Sequence, residues 1–243
     1  MSKIAIINRH GTDVEINAED ILGTEVNNIF KCANPYCSAQ MTLCSLHGKV
    51  ATHFKALPSH PHDKNCPFKA LGETTDYTTD NFEIDEFYEK LLYKKAQKKS
   101  DKNDKSATEE KTVKNNEIKS VQQLYKFCVT HTLSTKFGKN SLTVGNLICD
   151  NRNAKKFVKY ITGKKLIVLR FYRYERAEHK LFFKYANSKW KIVATFSADV
   201  FENSLNKIYK YKNSNIIVFS EFKTIKDTVY TKIDSMNQFY ISK

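Results

Sequence analysis

Apolar residues form short runs near the N-terminus, helix-like stripes in the middle and alternating stretches over the last third of the chain. Residues 3–7 (KIAII) predict a strand. His10-Gly11-Thr12-Asp13 predicts a turn, and 14–16 a returning strand. Residues 17–20 suit a helix start or turn. Between 82 and 99, Phe82, Ile84, Phe87, Tyr88, Leu91 and Leu92 recur at helical spacing, with Asn81 as the cap. Residues 120–129 predict a short helix. Residues 151–162, capped by Asp150 and ended by Gly163, predict another.

From 164 onward the pattern turns to β. Residues 165–176 alternate, with Ile167, Leu169 and Phe171 on one face and Val168, Arg170, Tyr172 and Tyr174 on the other. Residues 180–185 and 190–196 follow as strands around a turn at 186–189. A helix over 199–211 and strands at 215–222, 228–233 and 237–242 complete the chain. Strand, strand, strand, helix, strand, strand is the element order of an OB-fold barrel.

The middle breaks this regularity. Residues 99–117 (KSDKNDKSATEEKTVKNNE) hold one Val and no other large apolar group, too little to offset the entropy of ordering. A flexible linker is expected there. The expected class is α+β: a small N-terminal module over 1–70, read below as zinc-binding from its Cys32, Cys37, His62 and Cys66, an acidic helix and linker over 71–118, and a basic OB-like domain over 119–243.

Composition sharpens this. Of 243 residues, 40 are Lys or Arg and 26 Asp or Glu, a net charge of +14. The charge is unevenly spread. Residues 1–70 carry 7 cations and 6 acids, 71–118 carry 9 and 12, and 119–243 carry 24 and 8, a net +16. One strongly basic half implies an oriented contact with a polyanion, most commonly nucleic acid. Residues 73–89 hold seven acids and no Lys or Arg. They suit a solvated helix with dipole-matched ends, or a segment that covers the basic half when nucleic acid is absent. No run of ~20 apolar residues is present, so no membrane span is expected. A cytoplasmic location is the expectation, and the Lys- and Asn-rich composition suggests an AT-rich bacterial or phage source.

Four of six cysteines, Cys32, Cys37, Cys44 and Cys66, fall within 35 residues. Cys32-x4-Cys37 encloses Asn34-Pro35, a turn that can aim two thiolates at one point. His62-x3-Cys66 supplies a second pair, and two such pairs suit tetrahedral Zn²⁺. Cys32, Cys37 and Cys66 are the expected ligands, with His62 first, His53 second and His60 third as the fourth. Asp63 is the only acid in the block, so a closed structural zinc is expected rather than a catalytic one. Cys128 and Cys149 sit in apolar contexts and read as core.

Cys32, Asn34-Pro35, Cys37, a hairpin with Gly48-Lys49, His53-Phe54, His62 and Cys66-Pro67 together resemble the N-terminal zinc module of CoiA-like bacterial proteins. The cysteine pair is more widely spaced here than in that family. The resemblance spans residues 30–68. It implies a link to DNA uptake and processing, with a nuclease-like domain after the zinc module.

In the basic half, aromatics interleave with cations: Arg170, Tyr172, Arg173, Tyr174, Arg176, Lys184, Trp190 and Lys191. Cations can track phosphates while aromatic faces stack on unpaired bases. The leading expectation is a non-enzymatic binder of single-stranded DNA or RNA, with no catalytic residues assigned. Two alternatives stand beside it. One is a Mg²⁺-dependent nuclease using Asp199, Glu221 and Lys223, because Glu-x-Lys follows the apolar run IIVF. The other is a phage or mobile-element module that binds a nucleic-acid enzyme.

Overall fold

The computed structural model describes residues 2–46, 51–63, 66–69, 77–93, 116–154, 156–157, 160–185 and 191–242. The expected linker (except 116–117), the turn at Gly48, the turn at 186–189 and Trp190 lie outside the described residues. The chain is α+β.

The N-terminal strands β1 (Ile4–Arg9), β2 (Thr12–Asn17), β3 (Phe30–Lys31), β4 (Gln40–Cys44) and β5 (His53–Ala56) form one sheet in the order β2-β1-β3-β4-β5. His10 and Gly11 turn β1 into β2, both at positive φ. Short helical elements follow: α1 (Ile84–Tyr93), α2 (Val121–Thr130) and the single turn α3 (Val144–Leu147), with the small strands β6 (Lys136–Phe137) and β7 (Leu142–Thr143) between the last two. Ser120 caps α2, its side chain accepting from the Gln123 amide.

The C-terminal part contains β8 (Ile148–Cys149), β9 (Gly163–Glu175), β10 (Lys180–Tyr185), β11 (Lys191–Phe196), α4 (Ala198–Lys210), β12 (Asn215–Ile225), β13 (Thr228–Ile233) and β14 (Phe239–Ser242). Strands β9-β10-β11-β13-β12 form a ring, because β12 pairs back with β9 from Phe222↔Gly163 to Ile216↔Leu169. The result is a closed five-stranded barrel in which β11 and β13 run parallel. Closure over Gly163–Leu169 pairs that part of the β9 edge, which would otherwise offer unpaired backbone groups. Helix α4 buries Val200, Phe201, Leu205 and Ile208 in the barrel core.

Buried residues fall into two clusters. One fills the barrel. The other joins the N-terminal sheet, α1, α2 and residues 133–148 to the outside of the β9–β12 wall. Period-two alternation lets one strand serve both. On β12, Ile216 and Val218 point into the barrel while Ile217 and Phe219 meet the other core. The acidic helix α1 docks on this wall, with the rings of Phe87 and Phe219 5.2 Å apart. Asp85 of α1 pairs with Lys164 of β9, and Glu83, just before the helix, pairs with Lys139.

The helix expected over 151–162 does not form. Among its described residues, 151–154 and 156–157 are turns and 160–162 have no regular structure, and β9 begins at Gly163, at φ +75°. The local side chains compete with helical hydrogen bonds. Asn153 accepts from the Asp150 amide and donates to the carbonyls of Gly145 and Ile148. Arg152 folds back onto Asp150.

Candidate functional site

Two proline turns build the Cys/His cluster. Asn34-Pro35-Tyr36-Cys37 closes with Cys37 N donating to Asn34 O at 3.0 Å, and Cys66-Pro67-Phe68-Lys69 with Lys69 N to Cys66 O at 3.1 Å. Pro at the second position pre-sets the φ of each turn. The Asn34 side chain also accepts from the Tyr36 amide. The β4–β5 hairpin, with Cys44 opposite His53, folds the chain so that the two turns meet.

Cys32, Cys37, His62 and Cys66 then offer four ligand atoms, all within 4.8 Å of one another. Cys32 Sγ and Cys66 Sγ are 3.6 Å apart, and Cys37 Sγ and His62 Nδ1 are 3.5 Å apart. A tetrahedral zinc with Zn–S near 2.3 Å has ligand–ligand edges of about 3.7 Å. The donor set and spacing are therefore compatible with a zinc site. Cys44 is not part of the cluster. Neither is His53, whose Nδ1 contacts the Ala51 carbonyl, nor His60, whose Nδ1 contacts Ser59.

Amide groups already point at the sulfurs. Asn34 N donates to Cys32 Sγ, Asp63 N to Cys37 Sγ and Asn34 Nδ2 to Cys66 Sγ. Such donors favour thiolates. The Cys32–Cys66 contact lowers the Cys66 thiol pKa and, with burial, raises that of Cys32. Ligand thiols must be deprotonated to hold a divalent cation. By contrast, burial pushes the Cys128 and Cys149 thiols well up, as expected of inert core residues.

The cluster is tied to the barrel. Asn151 Nδ2 donates to Asn34 Oδ1 at 3.1 Å, and the Arg152 guanidinium lies over the Phe68 ring, 5.7 Å from its centre. Arg152 is buried. It bonds Asp150, Glu15 and the carbonyls of Cys128 and His131. Burial opposes its charge, but Asp150 and Glu15 outweigh that and raise its pKa. This network was missed from sequence, because nothing local relates Glu15 to Arg152.

The basic residues sort onto the barrel's outer wall. Register fixes three rows across the strands. The first is Arg170, Lys184 and Lys191. The second is Arg173, Phe182, Val193, Tyr230 and Lys223. The third is Glu175, Lys180, Thr195 and Lys232. These three rows thus hold seven cations and one acid, with a second acid, Glu221, two residues from Lys223 on the same side of β12. Arg173 lies 3.5 Å over the Phe182 ring, giving a flat cationic surface, and Lys184 lies 4.4 Å from the Tyr172 ring centre. Among the described residues, Arg170, Lys184, Lys191 and Lys223 have no acidic partner. Tyr230 escaped the sequence reading, and Lys223 entered it only as a nuclease candidate. Only the pairing of β13 with both β11 and β12 brings these two into this face.

One expectation about β9 is corrected. Period two put Arg170, Tyr172, Tyr174 and Arg176 on one side. A β-bulge intervenes, for Phe183 pairs with Phe171 but Phe182 with Arg173. The extra residue, Tyr172, inverts the alternation beyond it. Arg173 therefore joins Arg170 and Tyr172 outside, while Tyr174 turns to the Phe171 side. Arg176 lies in the following turn, paired with Glu202.

Asp199 sits in the first turn of α4, whereas Glu221 and Lys223 are exposed on β12. The only group of three or more candidate metal ligands among the described residues is the Cys/His cluster. No described helix is long and apolar enough to cross a membrane. No family model matches the chain, and neither does any curated protein or solved structure.

Proposed function

We propose that the protein binds single-stranded nucleic acid across the outer face of its barrel, braced by a structural zinc in the N-terminal module. The observation that carries this is the row Arg173–Phe182–Val193–Tyr230–Lys223, in which the exposed Tyr230 ring and the Arg173 guanidinium stacked on Phe182 stand over the buried Phe182 and Val193, with cations at both ends. Unpaired bases need flat apolar surface, and the flanking phosphates need positive charge. The strand order, with a helix between the third and fourth barrel strands, supports an OB-fold. The second and third strands of that fold commonly face oligonucleotides. The Cys/His cluster supports a closed zinc site of the kind its CoiA-like resemblance implies.

The test is fluorescence anisotropy with labelled single-stranded DNA, double-stranded DNA and RNA of one length, with and without Mg²⁺. The proposal expects single strands to bind more tightly than duplex, and all probes to stay intact. Equal affinity for duplex and single strands would count against base stacking. Mg²⁺-dependent cleavage lost in Glu221→Ala would replace the binder with a nuclease.

A further inference from the structure

Behind the bulge in β9 lies a second aromatic patch. The register of β9 with β12 ends at Leu169↔Ile216. From Arg170 to Glu175 the strand is paired, among the described residues, on its β10 side only. The bulge divides its tyrosines between the two sides of this open edge. Tyr172 faces Lys184 on the outer wall. Tyr174 faces the other way and meets Tyr209 of α4, their ring centroids 6.5 Å apart and nearly perpendicular. Phe171 meets the same ring at 6.2 Å. Lys212 Nζ lies 5.2 Å from the Tyr209 ring centre.

Tyr174 and Tyr209 are 44% and 52% exposed, so these contacts leave much of each ring open to solvent. Lys212 has no acidic partner among the described residues. An exposed ring beside an unpaired cation therefore stands on each side of one strand edge. An apolar peptide would gain from the rings alone. The unpaired lysines, in a region of net +16, favour a polyanion with flat apolar groups.

We propose that a nucleic-acid strand lying on the barrel face crosses the open edge of β9 and stacks a further base on the Tyr174–Tyr209 pair, with Lys212 at its phosphate. This inference rests on the barrel-face reading. It makes the footprint longer than the face itself and assigns Tyr209 and Lys212 to longer ligands only.

Binding of thymidylate oligomers of roughly 6 and roughly 18 nucleotides, lengths that bracket OB-fold site sizes, tests it by anisotropy at one salt concentration. Tyr209→Ala and Lys212→Gln should each weaken the longer oligomer, by about tenfold for the tyrosine, and leave the shorter one unchanged. Lys212→Gln leaves the rings in place, so its length-dependent loss cannot come from misfolding. Wild-type affinity for both lengths in both variants would overturn the inference, as would equal losses at both lengths. If the unmodified protein binds neither oligomer, the barrel-face reading itself fails, which separates the two claims.

Discussion

Asn151 donates its side-chain amide to the side-chain oxygen of Asn34 at 3.1 Å, while the side-chain Nδ2 of Asn34 donates to Cys66 Sγ. One asparagine thus joins a candidate zinc ligand to the segment leading into the barrel. The metal would fix not only the N-terminal module but also how the barrel is held against it. Metal analysis of the purified protein should find about one zinc equivalent, lost in Cys66→Ser. Full metal retention in that variant would refute the ligand set. Asn151→Ala should keep the metal yet melt at a lower temperature.

Arg152 is the second tie between the two parts. Breaking a buried ion pair leaves an uncompensated charge, at a cost of about 3–5 kcal/mol. Arg152→Met should lose about that much in urea denaturation, because Asp150 and Glu15 stay behind, buried or nearly so. Replacing all three with apolar residues of similar volume should recover much of the loss. A single variant as stable as the parent would show that the network is incidental.

The exposed tyrosines of the barrel face should matter for single strands and little for duplex, whose bases are already stacked. Tyr172→Ala and Tyr230→Ala should each weaken single-strand binding by about 1–3 kcal/mol as read by anisotropy. Equal weakening for duplex would mean that the rings act only as packing.

Arg9 and Glu25 make a bidentate pair, with distances of 2.6 and 2.7 Å. The hydrogen bond from Arg9 holds the Glu25 carboxyl below its ordinary value. A depressed carboxyl stabilises the fold above its unfolded pKa of about 4.3, and that contribution disappears as pH falls through the lower folded value. Thermal melts of the parent and Arg9→Gln should therefore differ at pH 7 and converge in acid. A gap independent of pH would place the effect elsewhere.

Local features were the legible ones. The spacing of Cys32, Cys37, His62 and Cys66 named the cluster, and the turn at Asn34-Pro35 was readable. Alternation and turn residues marked the barrel strands, and the stripe of α4 marked its helix. Long-range relations were not readable. No local signal says that β11 lies parallel to β13 or that β12 closes onto β9, so Tyr230 and Lys223 could not be assigned to the basic face. The bulge at Tyr172 has no signature either, and one inserted residue was enough to move Tyr174 to the opposite side. The helix expected over 151–162 failed because Asn153 and Arg152 found tertiary and turn partners stronger than the local pattern.

The central claim is that the cations of the outer face contact phosphates. Each phosphate contact to a single strand adds about 0.7 to the slope of log affinity against log salt. The decisive measurement is that slope for the unmodified protein and for the triple variant Arg170→Gln, Lys184→Gln, Lys191→Gln. A shallower slope in the variant, by about 2, is the expected result. An unchanged slope, with the unmodified protein still bound, would contradict the claim and move the contact to another surface.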